Sequence, residues 1–242
     1  MKLKGNIREI KYITKKQKNR MFNIFKRYYA NVKYKTFIRD LEEKQWVLLL
    51  LDGNKSIQGF STLMLLKTSL DNEPVYAIFS GDTIIEKSYW GKHNFYEVWS
   101  EFAINLANKY RNLYWFLVSK GYKTYRIMPR FFKEFYPRYD KETPKDIKKI
   151  MDKLAYLKFP KNYNGKSIIH FEDTDRLSKR YAVIPQKELK NPHIQFFLNS
   201  NPNYTKGDNL VCLARINKDN LKIGLQMLNN YIRLKRLFTK NV

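Results

Sequence analysis

The sequence predicts an α/β (α+β) protein: a mixed, mostly antiparallel central sheet with helices on both faces, followed by a C-terminal α+β extension. Three observations lead there. Apolar runs such as WVLLLL (46–51) and LYWFLVS (113–119) are continuous rather than alternating, as in strands covered on both faces. Between them stand segments with apolar residues at helical spacing, such as Phe95, Val98, Trp99, Phe102 and Leu106. Turn signals, DGN at 52–54 and LDNEP at 70–74, join neighbouring runs closely enough for hairpins.

Taken in order, IREIKYI (7–13) alternates as a first strand. Thr14 is placed to cap a helix over 15–30, with Met21, Ile24, Phe25 and Tyr28 on one face. Lys15, Lys16, Lys18 and Arg20 crowd its first turns against the helix dipole, so solvent or a counter-charge must screen them. Phe37, Ile38 and Leu41 mark a second helical piece, and 46–52 with 57–68 form the hairpin. A strand over 75–85, a loop at 87–94 and a helix begun by Asn94 and Glu97 follow. The strand 113–119 leads into GYKTYRIM and a short aromatic helix, PRFFKEFYPR.

After Asp140 the pattern changes. Thr143 and Pro144 start a helix with Ile147, Ile150, Met151 and Leu154 on one face. SIIHF (167–171) and RYAVI (180–184) read as short strands, PHIQFF as a short helix, and 210–216 as a strand. Asp219 or Asn220 would cap a last helix with Leu221, Leu225, Leu228 and Ile232 on one face, ending in a basic RLKRLFTK. The expected division is a core at 1–140 and an extension at 141–242 packed upon it.

Charge is the unusual quantity: 47 Lys and Arg against 22 Asp and Glu give +25 over 242 residues. Either this is a solvated basic surface, or the partner is acidic: nucleic acid, an anionic membrane or an acidic carrier protein. Basic residues interleave with aromatics at Lys26, Arg27, Tyr28, Tyr29, Lys33, Tyr34 and Lys35, as on a nucleic-acid surface. A single Cys212 excludes an intramolecular disulfide framework, and with His93, His170 and His193 it shows no zinc-ligand spacing. No signal peptide is recognisable, and no apolar run nears the roughly 20 residues of a spanning helix, so a cytoplasmic location is expected.

The blocks FSGDTIIEKSYWG (79–91) and LYWFLVSKGYKTYR (113–126), in the order strand, loop, helix, strand, aromatic helix, resemble the GNAT superfamily of acyl-CoA-dependent N-acyltransferases. The resemblance covers roughly 7–140. Its loop pattern, Gln/Arg-x-x-Gly-x-Gly/Ala, falls on SYWGKH, where Gly91 agrees while Ser88 and His93 depart. A GNAT-like core implies a phosphopantetheine thioester, from acyl-CoA or an acyl carrier protein, as donor, and an amine as acceptor. It implies main-chain contacts from Ile84 and Ile85 to the pantetheine arm. Phosphate contacts would come from Tyr89, Trp90, Gly91, Lys92, His93 and Asn94 at the helix N-terminus, with charge from Lys87 and Lys92.

Asp82 is the candidate base, because a carboxylate in an apolar strand segment has its pKa raised by burial. The alternative is a Gly-Asp pair shaping a bulge, with Thr83 sharing its hydrogen bonds. For the acid, the resemblance points to a tyrosine after the 113–119 strand. Tyr136 and Tyr139 are available, Phe132 holds the usual position, and Tyr125 is an alternative. Asn201, Tyr204 and Asp208 are candidate lining on the acceptor side. The function implied is N-acyl transfer, possible also with a long acyl chain; the alternative is an inactive GNAT-fold protein that binds RNA or DNA.

Overall fold

A computed structural model describes residues 2–172 and 175–222. The elements are β1 (Lys4–Glu9), α1 (Lys15–Tyr28), β2 (Tyr29–Ala30), α2 (Tyr34–Glu42), β3 (Trp46–Leu51), β4 (Ile57–Leu70), β5 (Glu73–Ile85), α3 (Phe95–Ala107) and β6 (Leu113–Ser119). There follow α4 (Tyr122–Tyr125), α5 (Ile127–Phe131), α6 (Lys145–Lys158), β7 (Ile168–Ile169), β8 (Arg176–Leu177), α7 (Lys179–Ala182), α8 (Pro192–Ser200) and β9 (Asn209–Arg215). Seven strands form one sheet in the order β1-β3-β4-β5-β6-β9-β7, and β2 pairs with β8 apart from it. Every pairing is antiparallel except β5 with β6.

Local chemistry explains the elements. Thr14 closes a capping box on α1: its hydroxyl accepts from Gln17 N–H, and the Gln17 side chain accepts from Thr14 N–H at 3.0 Å. Such a cap is worth about 1 kcal/mol. The unbroken apolar runs are explained by cover on both faces. Leu48, Leu50, Leu63, Ile78 and Trp115 pack beneath Trp99 of α3. On the opposite face Val47, Leu49, Phe60 and Ile84 pack against α1 and α2, while Phe79, Phe116 and Leu213 pack against α6.

The segment after residue 140 both covers one face of this sheet, through α6, and extends its edge, through β9 and β7. β9 lies along β6 from Tyr114–Arg215 to Ser119–Leu210, and β7 borders β9. A boundary at 140 therefore runs through one hydrogen-bonded sheet; strand partners this far apart in sequence leave no local signal. RYAVI is another departure, since 179–182 form a helical turn. Ser178 anchors it by donating its N–H and its hydroxyl to Tyr28 O, both at 3.0 Å. The expected last helix beyond residue 222 lies outside the described residues. No helix among the described residues is long and apolar enough to cross a membrane.

Strand, two helices, three antiparallel strands, loop, helix, parallel strand and short aromatic helices stand in the order the resemblance implies. The fold is GNAT-like.

Candidate active site

The parallel pair holds the site. β5 and β6 stay in register from Tyr76–Leu113 to Ser80–Leu117, and the Trp115 indole N–H ties the last rung to Ser80 Oγ at 2.8 Å. Beyond it they part: β5 continues on β4 to Ile85, and β6 continues on β9 to Ser119. The cause is a bulge. Between Leu63–Ser80 and Ser61–Thr83, β5 spends one residue more than β4, which bends it. Gly81 permits this, because a Cβ there would sit 2.5 Å from Thr62 Oγ1.

Past the bulge, Glu86 N–H donates to Gln58 O. The two-residue alternation of the ladder then turns the peptide groups of Ile84 toward β4 and those of Thr83 and Ile85 toward the gap. The Ile85 carbonyl already accepts from the Trp90 indole at 2.8 Å. Thr83, expected from the sequence only to share hydrogen bonds in a bulge, is thus the residue whose main chain faces the opening, while the Ile84 side chain is core.

Asp82 stands in the bulge, partly buried, and among the described residues no group donates a hydrogen bond to its carboxylate. Burial, then Asp40 and Asp175, push its pKa up to about 7, against the opposing pull of Lys120 and Lys44. Both lysines are engaged elsewhere: Lys44 Nζ donates to Asp40 Oδ1 (2.6 Å) and O (2.9 Å), and Lys120 pairs with Asp175. Tyr29 lies beside Asp82 and Asp175, and burial first, then those two charges, raise its pKa. Its ring stacks on Phe25 at 4.6 Å, and Lys120 Nζ lies 5.3 Å from its centroid. The segment carrying Asp175 is held across this side by β2–β8 pairing and by Tyr181 stacked on Tyr28 at 4.7 Å.

The loop after β5 is folded against itself. Tyr89, Trp90 and Lys92 donate their N–H groups to the carbonyls of Glu86, Lys87 and Tyr89, so those amides point into turns. Asn94 does not cap α3; its Oδ1 accepts from Gly5 N–H of β1 at 2.7 Å. His93 Nδ1 instead accepts from Phe95 N–H, at 3.4 Å. Gly91 has φ of +75° and no atom near a would-be Cβ, so glycine serves backbone conformation there, not close approach. Trp90 is 42% exposed, with Lys123 Nζ 4.5 Å above its ring. Lys87 is near enough to lower the Lys123 pKa, second to burial, and among the described residues neither lysine forms an ion pair.

The candidate tyrosines are not brought to the gap. Tyr125 is wholly buried, its hydroxyl donating to Pro137 O at 3.0 Å. Tyr136 bridges Leu213 on the far side of β9, three strand spacings or roughly 14 Å from β5. Tyr139 is exposed and packs on His193. Asn201, Tyr204 and Asp208 serve local structure, bonding Asp208 O, Ala182 O and His170 Nδ1. Cys212 is buried, its thiol pushed up to about 12. Among the described residues no three His, Cys, Asp or Glu side chains gather as a metal site.

No family model and no curated protein matches the chain. Among solved structures it is similar to a probable N-acyltransferase of unknown function from Enterococcus faecalis, at 14% identity over 51% of this chain and 31% of that one, with a TM-score of 0.39. It is similar to the GNAT family N-acetyltransferase YhbS from Escherichia coli in complex with CoA, at 14% identity over 49% and 64%, TM-score 0.36. A third is a Corynebacterium glutamicum protein described as histone acetyltransferase HPA2 and related acetyltransferase, at 12% identity over 60% and 93%, TM-score 0.37. The chain spans 31% of the first and 64% of the second of these proteins.

Proposed function

We propose that the protein is a GNAT-type N-acyltransferase that moves an acyl group from acyl-CoA to an amine, with Asp82 as general base. The observation that carries this is the parting of β5 and β6 beside a carboxylate that no described residue bonds, at a pKa suited to proton transfer near neutrality. The thioester arm lies in the gap, where the main chain of Thr83 offers it hydrogen bonds. Lys87, Lys123 and the face of Trp90 receive the donor's phosphates and base, and the first amides of α3 add to the field.

The amine arrives from the α1–α2 side and loses a proton to Asp82. Its nitrogen attacks the carbonyl carbon, the C–S bond breaks as the tetrahedral adduct collapses, and the sulfur leaves as thiolate. A thiol of pKa about 8.5 makes a competent leaving group without an assigned acid, in keeping with tyrosines that lie elsewhere.

Ligands that bind the native state raise its melting temperature, by about 2.7 kcal/mol of stabilisation at a hundredfold excess over Kd. Melting the protein with acetyl-CoA, a long-chain acyl-CoA, an acyl carrier protein and a short RNA tests the reading. A shift with an acyl-CoA is expected, and the chain length that shifts most names the donor. A shift with acyl carrier protein alone would move the donor to a carrier thioester. A shift with RNA alone would overturn the transferase reading in favour of a nucleic-acid-binding protein.

A further inference from the structure

The bulge that carries Asp82 rests on a buried cation. A Cβ at Gly81 would meet Thr62 Oγ1 at 2.5 Å and Lys44 Cε at 3.2 Å, so the lysine stem helps to fill the space beneath the bent strand. The Lys44 side chain is wholly buried, and its Nζ donates to Asp40 Oδ1 at 2.6 Å and to Asp40 O at 2.9 Å. The same ammonium lies 5.5 Å from the centroid of the Phe79 ring. Its place is fixed through the backbone. Gln45, the next residue, donates its N–H to Leu63 O at 3.2 Å, and its Oε1 accepts from Leu65 N–H at 2.6 Å. Leu63 is the β4 residue paired with Ser80, where the bulge begins.

Packing does not require this charge. A methionine would fill much the same space without desolvating an ammonium, and lysines ordinarily carry theirs out to water. Here the order is reversed: the cation is buried, and the side chain of its carboxylate partner is 43% exposed. The charge is spent on Asp82. The charged and titratable groups around that carboxylate are Asp40 of α2, Lys44 just after it, Asp175 ahead of β8, Lys120 beyond β6 and Tyr29 of β2. Behind burial, Asp40 pushes the Asp82 pKa up and Lys44 pulls it down. An unpaired Asp40 would hold Asp82 protonated through neutrality, and an unpaired Lys44 would make it a weaker base. Paired, each offsets the other.

We infer that Lys44 is a positioning residue for Asp82: its ion pair with Asp40, wedged beneath Gly81, fixes the shape of the bulge and the charge that the carboxylate faces. This rests on Asp82 as the base of the acyl-transfer reading. The pair acts through Asp82 and takes no part in the bond changes.

Carbon-13 carboxylate NMR, with Asp82 assigned from Asp82→Asn, follows the titration in the whole protein without donor or acceptor. Lys44→Met keeps the stem and removes the cation, so the Asp82 midpoint should rise by about one pH unit. Asp40→Asn leaves the cation unopposed, and the midpoint should fall by about as much. The double variant should return close to the wild-type midpoint. A purely structural role would lower the melting temperature without moving the midpoint in opposite directions. Asp40→Asn alters a half-exposed side chain, so it carries the test by itself if Lys44→Met does not fold. Unmoved midpoints, or shifts of one sign in both single variants, would overturn the inference. Acyl-transfer kinetics on the same samples separate the two claims: turnover with unmoved midpoints removes the positioning role alone, and opposite shifts without acyl transfer remove the transferase reading alone.

Discussion

The two ends of the β5–β6 pair are built on opposite principles. At the end near Tyr76 and Leu113 the strands are in register and aromatic side chains pack across them; Tyr76 lies tilted against Tyr110 at 4.3 Å between ring centroids, and Trp115 against Trp99 at the same separation. At the end beyond Ser80 the strands have parted, and no described residue bonds the Asp82 carboxylate. A second contrast runs through the titratable groups. Tyr125 and Asp82 both have raised pKa values caused first by burial. The Tyr125 hydroxyl is consumed by Pro137 O, whereas the Asp82 carboxylate is left to meet something else. The comparison teaches that burial alone does not mark a functional group; what sets Asp82 apart is a raised pKa on a carboxylate that no described residue bonds, beside the parted strands.

The largest break in that comparison is Asp82→Asn. Removing a general base lowers turnover by about 10²–10⁴-fold, and acyl-transfer kinetics should show that loss with acetyl-CoA affinity unchanged. The same substitution should stabilise the fold. The folded-state pKa of about 7 lies above the ordinary 3.8, so the native state favours the protonated form and stability is lost as pH rises through that window. The variant, uncharged throughout, should melt above the wild type at about pH 8 and close to it near pH 4, as differential scanning calorimetry would read.

Gly81→Ala comes next. A methyl 2.5 Å from Thr62 Oγ1 forces the bulge to shift, which costs about 1–3 kcal/mol and moves Asp82, so both melting temperature and turnover should fall. Tyr125→Phe sharpens the contrast from the other side: loss of one hydrogen bond should cost about 1 kcal/mol in denaturant unfolding and leave turnover at the wild-type value. Lys123→Ala should have the smallest effect, a several-fold weaker acyl-CoA Kd that converges on the wild-type value as salt is raised.

Much of the frame was legible in the chain. Thr14 as a cap, WVLLLL as a doubly covered strand and the order of elements through Ser119 all follow from local chemistry that nearby residues complete. Asp82 was legible too, as a carboxylate inside an apolar strand behind a glycine. The surroundings of Asp82 were not, because Tyr29 and Asp175 come beside it through β2–β8 pairing, which leaves no local trace. Tyr28-Tyr29 at the end of an amphipathic helix was the one signal that could have drawn attention. The tyrosine acids carried over from the resemblance met the same obstacle: nothing in YKTYR shows Pro137 O waiting for Tyr125, and nothing in FYPRY shows β9 standing between Tyr136 and the gap.

The most direct test of the open end as the reacting end is the pH dependence of kcat, at saturating acetyl-CoA and amine acceptor. With Asp82 as base, kcat should rise through a midpoint near its pKa of about 7, and that rise should vanish in Asp82→Asn together with most of the rate. A wild-type profile flat across neutrality, or an Asp82→Asn enzyme that keeps both the profile and the turnover, would contradict the account.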